Sequence, residues 1–239
     1  MRRTTSERLL VLQRRQYQEH DAIITALSPQ RGRLNLLVRG LTKPQSKLAG
    51  HLEPLTIIDA LIVWGQRPLL SAAVSRQSFG QLKNQLAAVV LAGQVINRYQ
   101  RWCPVGQALP AAWQDLIDLL TSWNQSVQSL ATLTVGSQAI QWRLANHCGQ
   151  VPDLQHCGNC RNNLTASAWW QPIDGGLFCD KCRPVESRFE LSAEARCYWL
   201  GMLDDKWLEL TKSVPSPTIL EQIAGFFNEW VNFLDNYIC

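Results

Sequence analysis

The chain lacks any apolar run approaching the roughly 20 residues that a membrane-spanning helix needs. Near the N-terminus the run Leu9 to Leu12 is followed almost at once by Arg14 and Arg15. The arginine-bearing start MRRTTSERLLVLQRR therefore has no apolar core of a leader peptide, and a cytoplasmic protein is expected. Histidine is scarce, with four in 239 residues, and none has a partner at catalytic spacing. There is no GxxxxGK phosphate loop, no GxGxxG, no GxSxG and no HExxH. Nothing here proposes catalysis, and the expectation is that the chain is not an enzyme.

Charge of one sign is also scarce in bulk: the net charge is only +4. Its distribution is uneven. Residues 1–80 hold 12 Lys/Arg against 5 Asp/Glu, whereas residues 81–239 hold 11 against 14. The basic end is a candidate for a polyanion such as nucleic acid. The plainer reading of the same residues is a solvated surface. Apolar residues make up 46% of the chain, enough for a folded globular protein rather than a disordered one.

The first 80 residues read as β-structure. LLVLQRR, DAIITALS, RLNLLVRG, TIIDALIVWG and LLSAAVSR are short runs rich in Val, Ile, Leu and Thr. Turn signals separate them at Ser28-Pro29, Arg31-Gly32, Gly40, Pro44, Pro54 and Gly65 to Pro68. Five strands of this length suit a small closed barrel of OB-fold or SH3-like type. From Gly80 the apolar period becomes helical: Leu82, Leu86, Val89, Ile96 and Tyr99 recur every three to four residues. Pro110 opens a second helix, and a third runs to about His147 with Gly149 as its stop. Ser192 caps a helix predicted to continue through Trp199, Leu203 and Trp207, and a last helix follows Pro217.

Cysteine is not scarce. Eight are present, and in a chain of this size without a leader their paired spacing favours metal over disulfides. In CGNCRNNLTASAWWQPIDGGLFCDKC, Cys157, Cys160, Cys179 and Cys182 form two Cys-x-x-Cys knuckles. Each knuckle brings two sulfurs to one point, and two knuckles complete a tetrahedron around Zn²⁺. The residues between read as a hairpin turning at Asp174-Gly175-Gly176, as in a zinc ribbon. Four thiolates leave no position for an activated water, so one structural zinc per chain is expected. His156 adjoins the first knuckle but is not expected to reach the ion. Cys103, Cys148, Cys197 and Cys239 read as small core residues.

The segment RGLTKPQSKLAGHLEP joins the third and fourth strands and carries Arg39, Lys43 and Lys47. With Arg14, Arg15, Arg31 and Arg33 it would form a positive surface able to contact several phosphates. Aromatic residues are few there: Tyr17, Trp64 and Phe79 only. The expected mode is thus more electrostatic than base-stacking. Trp113, Trp123, Trp142, Trp199, Trp207 and Trp230 fall on apolar helical faces, where core packing explains them first.

The stretch VLQRRQYQEHDAIITALSPQRGRLNLLVRGLTKPQSKLAGHLEPLT resembles the start of the bacterial RecO family. Glu19, Gly32-Arg33, Arg39-Gly40, Ser46-Lys47-Leu48, Gly50 and Leu52-Glu53-Pro54 carry the resemblance, which continues through GQVPDLQHCGNC and GGLFCDKC. It implies an OB-fold followed by a helical domain with the zinc module. It also implies binding of single- and double-stranded DNA and annealing of complementary strands. Partnership with RecR and with the C-terminal tail of single-stranded DNA-binding protein, in loading RecA, belongs to the same set.

The fold expected is therefore α+β: an OB-fold barrel over residues 1–79, then a helical domain over 80–239 with the zinc module at about 155–184. The function expected is a nucleoid-associated recombination mediator with no membrane partner. A zinc-ribbon-and-barrel scaffold of transcription or translation is the competing reading.

Overall fold

The computed structural model describes residues 3–187 and 189–237, the side chain of Tyr237 excepted; Cys239, expected in a core, lies outside them. The chain forms two compact units, Met1–Gln128 and Ser129–Cys239.

In the first unit the five apolar runs become β1 (Thr4–Gln16), β2 (Ala22–Ser28), β3 (Gly32–Val38), β4 (Thr56–Val63) and β5 (Leu69–Gln77). They close into a barrel in the order β1-β2-β3-β5-β4. β1 serves two neighbours. Its first half pairs with β4 from Thr4 to Val11, and its second half pairs with β2 from Leu10 to Gln16. The register to β2 shifts between Val11 and Gln13, and such a bulge bends a strand sharply enough to turn the corner of a small barrel. Alternation decides which side chains point in. Leu34, Leu36 and Val38 of β3 join Leu9, Ile24, Ile58, Ile62 and Leu70 in the core.

The seam between β3 and β5 is narrow. It consists of a parallel pair at Leu37 and Leu69 and a bond from the Leu37 N–H to the Pro68 carbonyl at 2.9 Å. Further along, the edge of β3 is covered by residues 105–107: Val105 bridges Arg33, and the Gly106 N–H donates to the Arg33 carbonyl at 3.1 Å.

Three helices complete this unit: α1 (Gly80–Lys83), α2 (Leu86–Trp102) and α3 (Pro110–Gln125). Pro110 stands in the first turn of α3, where its missing N–H costs nothing. The buried Tyr99 hydroxyl donates to the Ala112 carbonyl at 2.8 Å and ties α2 to α3.

The second unit opens with α4 (Leu130–His147), capped by the Ser129 hydroxyl and ended at Gly149, whose φ is +71°. The cysteine segment follows with the expected hairpin, β6 (Ala168–Gln171) and β7 (Gly176–Phe178). A strand not foreseen, β8 (Phe189–Leu191), adds to the other side of β6, giving the order β7-β6-β8.

α5 (Ala193–Gly201), α6 (Trp207–Lys212) and α7 (Pro217–Tyr237) finish the chain. The single helix expected from Ser192 through Trp207 is thus two. The chain turns at Met202 to Lys206, and the lack of a side chain at Gly201 lets Leu210 of α6 come close: a Cβ there would meet its Cδ2 at 2.9 Å. Cys103 is buried as expected, but Cys197 is exposed, because α5 turns Ala195, Arg196 and Trp199 inward instead.

Trp142, Trp199 and Trp230 form the aromatic core, with Trp142 centred 4.8 Å from Trp199 and 4.7 Å from Trp230. Trp170 of β6 packs edge-on to Phe226 at 5.4 Å and to Phe233 at 5.9 Å. That contact fixes the cysteine hairpin to α7.

Candidate nucleic-acid interface and metal centre

The cationic side chains of the barrel divide into engaged and open ones. Arg14 donates to the Glu53 carboxylate at 3.0 Å. Arg31 pairs with Glu7, a carboxylate only 7% exposed, and lies 4.6 Å from the centre of the Trp64 ring. Arg33 is half-buried and donates to the Gln100 carbonyl near the C-terminal end of α2. A cation is favoured there by the unsatisfied carbonyls of the helix end. On the outer face of β1, β4 and β5, Arg76 and Arg8 share Asp59, at 2.5 and 3.2 Å. The hydrogen bond from Arg76, seconded by Arg8, keeps the Asp59 carboxyl below its ordinary range despite partial desolvation.

Arg15, Arg39, Lys43 and Lys47 are different. All four are exposed, and none forms an ion pair with a described residue. Of the seven predicted nucleic-acid contacts, these four are open to a phosphate and the other three are bound to groups of the chain itself.

Backbone bonds place the open cations. The connection from β3 to β4 contains no helix; it is a series of turns over residues 39–51. Leu41 and Leu52 anchor it in the barrel core, with Leu48 and Ala49 packed against that core. Its start is fastened to the β1–β2 loop. The Gly40 N–H donates to Asp21 Oδ1 at 2.8 Å, and the Thr42 N–H donates to the His20 carbonyl at 3.1 Å. Arg39 and Lys43 are thereby held at the barrel end formed by the 17–21 loop, while the segment's apolar residues turn inward.

At the same end lies a cleft lined by Tyr17, Asp21, Leu37, Arg39, Trp64 and Arg67 among others. Sequence reading did not assign Tyr17, Trp64 or Arg67 to a site, because they come from two loops 47 residues apart that only closure of the barrel brings together.

The four cysteines converge as their spacing requires. All four sulfurs lie within 4.8 Å of one another, with Cys160 and Cys179 at 3.9 Å. Sulfurs about 2.3 Å from one ion would stand roughly 3.8 Å apart around a tetrahedron, so this donor set fits a zinc ion.

The knuckles are built by backbone bonds. The Arg161 N–H donates to the Cys157 carbonyl at 3.0 Å, the Gly158 N–H donates to the Leu177 carbonyl at 2.7 Å, and the Cys179 N–H points to Cys157 Sγ at 3.4 Å. Burial opposes ionisation of Cys157, but the N–H groups of Cys179, Cys160 and Asn159 outweigh it and lower the thiol to about 6. Cys182 is pushed up to about 11 by desolvation and by the thiols of Cys160 and Cys179. A metal ion would supply the positive charge that lets all four ionise.

His156 stands outside the cluster, with Nδ1 2.9 Å from Asp153 Oδ2. Behind the knuckles is a residue the sequence did not single out. Arg196 of α5 is 4% exposed and donates to the carbonyls of Leu154, Leu164 and Ala166, holding both flanks of the first knuckle.

The first unit is thus a closed five-stranded barrel with open cations at one end, and the second unit holds a four-cysteine cluster. Residues 1–72 match the family described as Recombination protein O N terminal. Over a longer stretch the chain is similar to the DNA repair protein RecO of Dehalococcoides mccartyi, at 25% identity over 79% of this chain and 74% of the relative. It is also similar to RecO of a Synechococcus strain (29%; 70% and 62%) and of Heliobacterium modesticaldum (28%; 93% and 82%). The matched stretch thus spans as little as 62% of a relative's own length. Over most of its length the chain resembles the RecO family.

Proposed function

We propose that this chain is a DNA-binding recombination mediator and that it works without catalysing a covalent step. Arg15, Arg39, Lys43 and Lys47 neutralise phosphates on two strands, lower their mutual repulsion, and let base pairing complete the anneal. On this reading the barrel within residues 1–79 is the DNA-binding domain. The helical part over 80–239, with its module at about 155–184, is held together by one structural zinc. RecR, the tail of single-stranded DNA-binding protein and, indirectly, RecA are the partners. No helix of the described residues is long and apolar enough to cross a membrane, and a cytoplasmic, nucleoid-associated protein fits this role.

The supporting observation is that four open cations lie on the strands and turns of the barrel, while Arg14, Arg31 and Arg33 are engaged with groups of the chain. The test is strand annealing across a salt series, using the wild type and a variant with Arg15, Lys43 and Lys47 changed to Glu. Annealing should be lost in the variant. The wild-type affinity for a single strand should fall with salt at a slope of roughly −0.7 per phosphate contacted. Unchanged annealing would remove the barrel from the mechanism. Absence of annealing in the wild type, with no co-purification of RecR, would favour a scaffold of transcription or translation.

A further inference from the structure

The cleft at the basic end of the barrel has walls that phosphate contact alone does not explain. One wall is the 17–21 loop, closed by a bond from the Tyr17 N–H to the Asp21 carbonyl at 3.0 Å. It presents Tyr17 with 38% of its surface exposed, a high value for an aromatic side chain in a formed cleft. The other wall is the 64–68 loop. Its Trp64 is fixed: the indole N–H donates to Thr5 Oγ1 at 2.8 Å, and Arg31 lies over the ring. Between the walls, Arg67 reaches across and donates to the Tyr17 hydroxyl at 2.5 Å, with its guanidinium carbon 5.8 Å from the ring centre. Arg39 stands at the cleft with no ion-pair partner among the described residues. Asp21, the carboxylate in the lining, is occupied by the Gly40 N–H.

An exposed aromatic side chain, a rigid apolar wall and two guanidinium groups match the chemistry of an unstacked base between two phosphates. A duplex keeps its bases inside the stack and has none to offer. We propose that the cleft takes one unpaired nucleobase of single-stranded DNA, which stacks on Tyr17 while Arg39 and Arg67 hold the flanking phosphates. This rests on the reading of the barrel as DNA-binding and adds to it a preference for single strands.

The test measures binding of three probes at one salt concentration: an oligothymidylate, an abasic strand of the same length, and a blunt-ended two-strand duplex. Tyr17→Ala should weaken the oligothymidylate roughly 5- to 100-fold, the effect expected for one stacked base. It should leave the abasic strand and the duplex unchanged, and Tyr17→Phe should bind like the wild type. Thermal melting of each variant checks that the exposed substitution leaves the fold intact. Oligothymidylate binding unmoved by Tyr17→Ala, or weakened equally with the other two probes, overturns the proposal. If the Arg15/Lys43/Lys47 variant still loses all three probes in that case, the DNA-binding reading stands and only the stacking site falls. A wild type that binds none of the probes would sink both.

Discussion

A methyl group on Gly32 would lie 1.8 Å from the backbone oxygen of Gln107, and the residue's φ is +64°. Both facts demand glycine here: the conformation is one that L side chains rarely adopt, and the space is filled by backbone that cannot step aside. Gly32→Ala should cost about 2–3 kcal/mol, read as a lower urea midpoint with unchanged slope. Its neighbour Arg33 is directed at the Gln100 carbonyl and acts in closing the barrel against α2. The family resemblance made the Gly32-Arg33 pair conspicuous but could not divide it into a steric requirement and a helix-end contact. That division depends on residues 100–107, nearly 70 positions away. The same limit hid Arg196, whose three acceptors are main-chain carbonyls, which leave no mark on composition.

At the scale of elements the cysteine module was the most legible part, because ligand spacing and metal geometry are both local. β8 was not, since three residues without alternation become a strand only when β6 offers an edge. The module's inward face, Trp170 against Phe226 and Phe233, joins the cysteine hairpin to the aromatic core, so a metal held by the four thiolates would belong to one cooperative structure. Chelation should therefore lower the melting temperature of the helical unit while leaving oligothymidylate affinity unchanged; equal loss of both would place the metal in the DNA contact.

Acid should act in the same direction as a chelator. Cys157, lowered to about 6 from the ordinary value of 9.0, adds to the stability of the folded knuckle most fully above that ordinary value. Its contribution to the metal-free protein is lost as pH falls through about 6, so the melting temperature of the metal-free protein should drop across that range. Cys182, held near 11, keeps its proton at neutral pH until a cation displaces it. Adding zinc to the metal-free protein should acidify a weakly buffered solution.

For the molecule as a whole, the uneven charge was the readable clue: the excess of Lys/Arg lies before residue 81. Summed charge does not say which cations are spent internally, and that is where the structure adds most. The five strands were legible from their apolar runs and turns. The polar beginning of β1, Thr4 to Arg8, was not, because it is held in the sheet by pairing to β4 rather than by its own hydrophobicity. The split of α5 from α6 escaped for a related reason: the apolar period continues across a turn that only close packing at Gly201 reveals.

The cover that residues 105–107 place on the edge of β3 bears on how the barrel can be handled in isolation. A fragment ending at residue 79 would carry all five strands yet leave the backbone groups beside Arg33 bare, and a bare strand edge is a template for a second copy. Such a fragment should elute as aggregates on size-exclusion chromatography, while one ending at Gln128, the limit of the first compact unit, should not. The smallest DNA-binding piece worth preparing is thus longer than its strands.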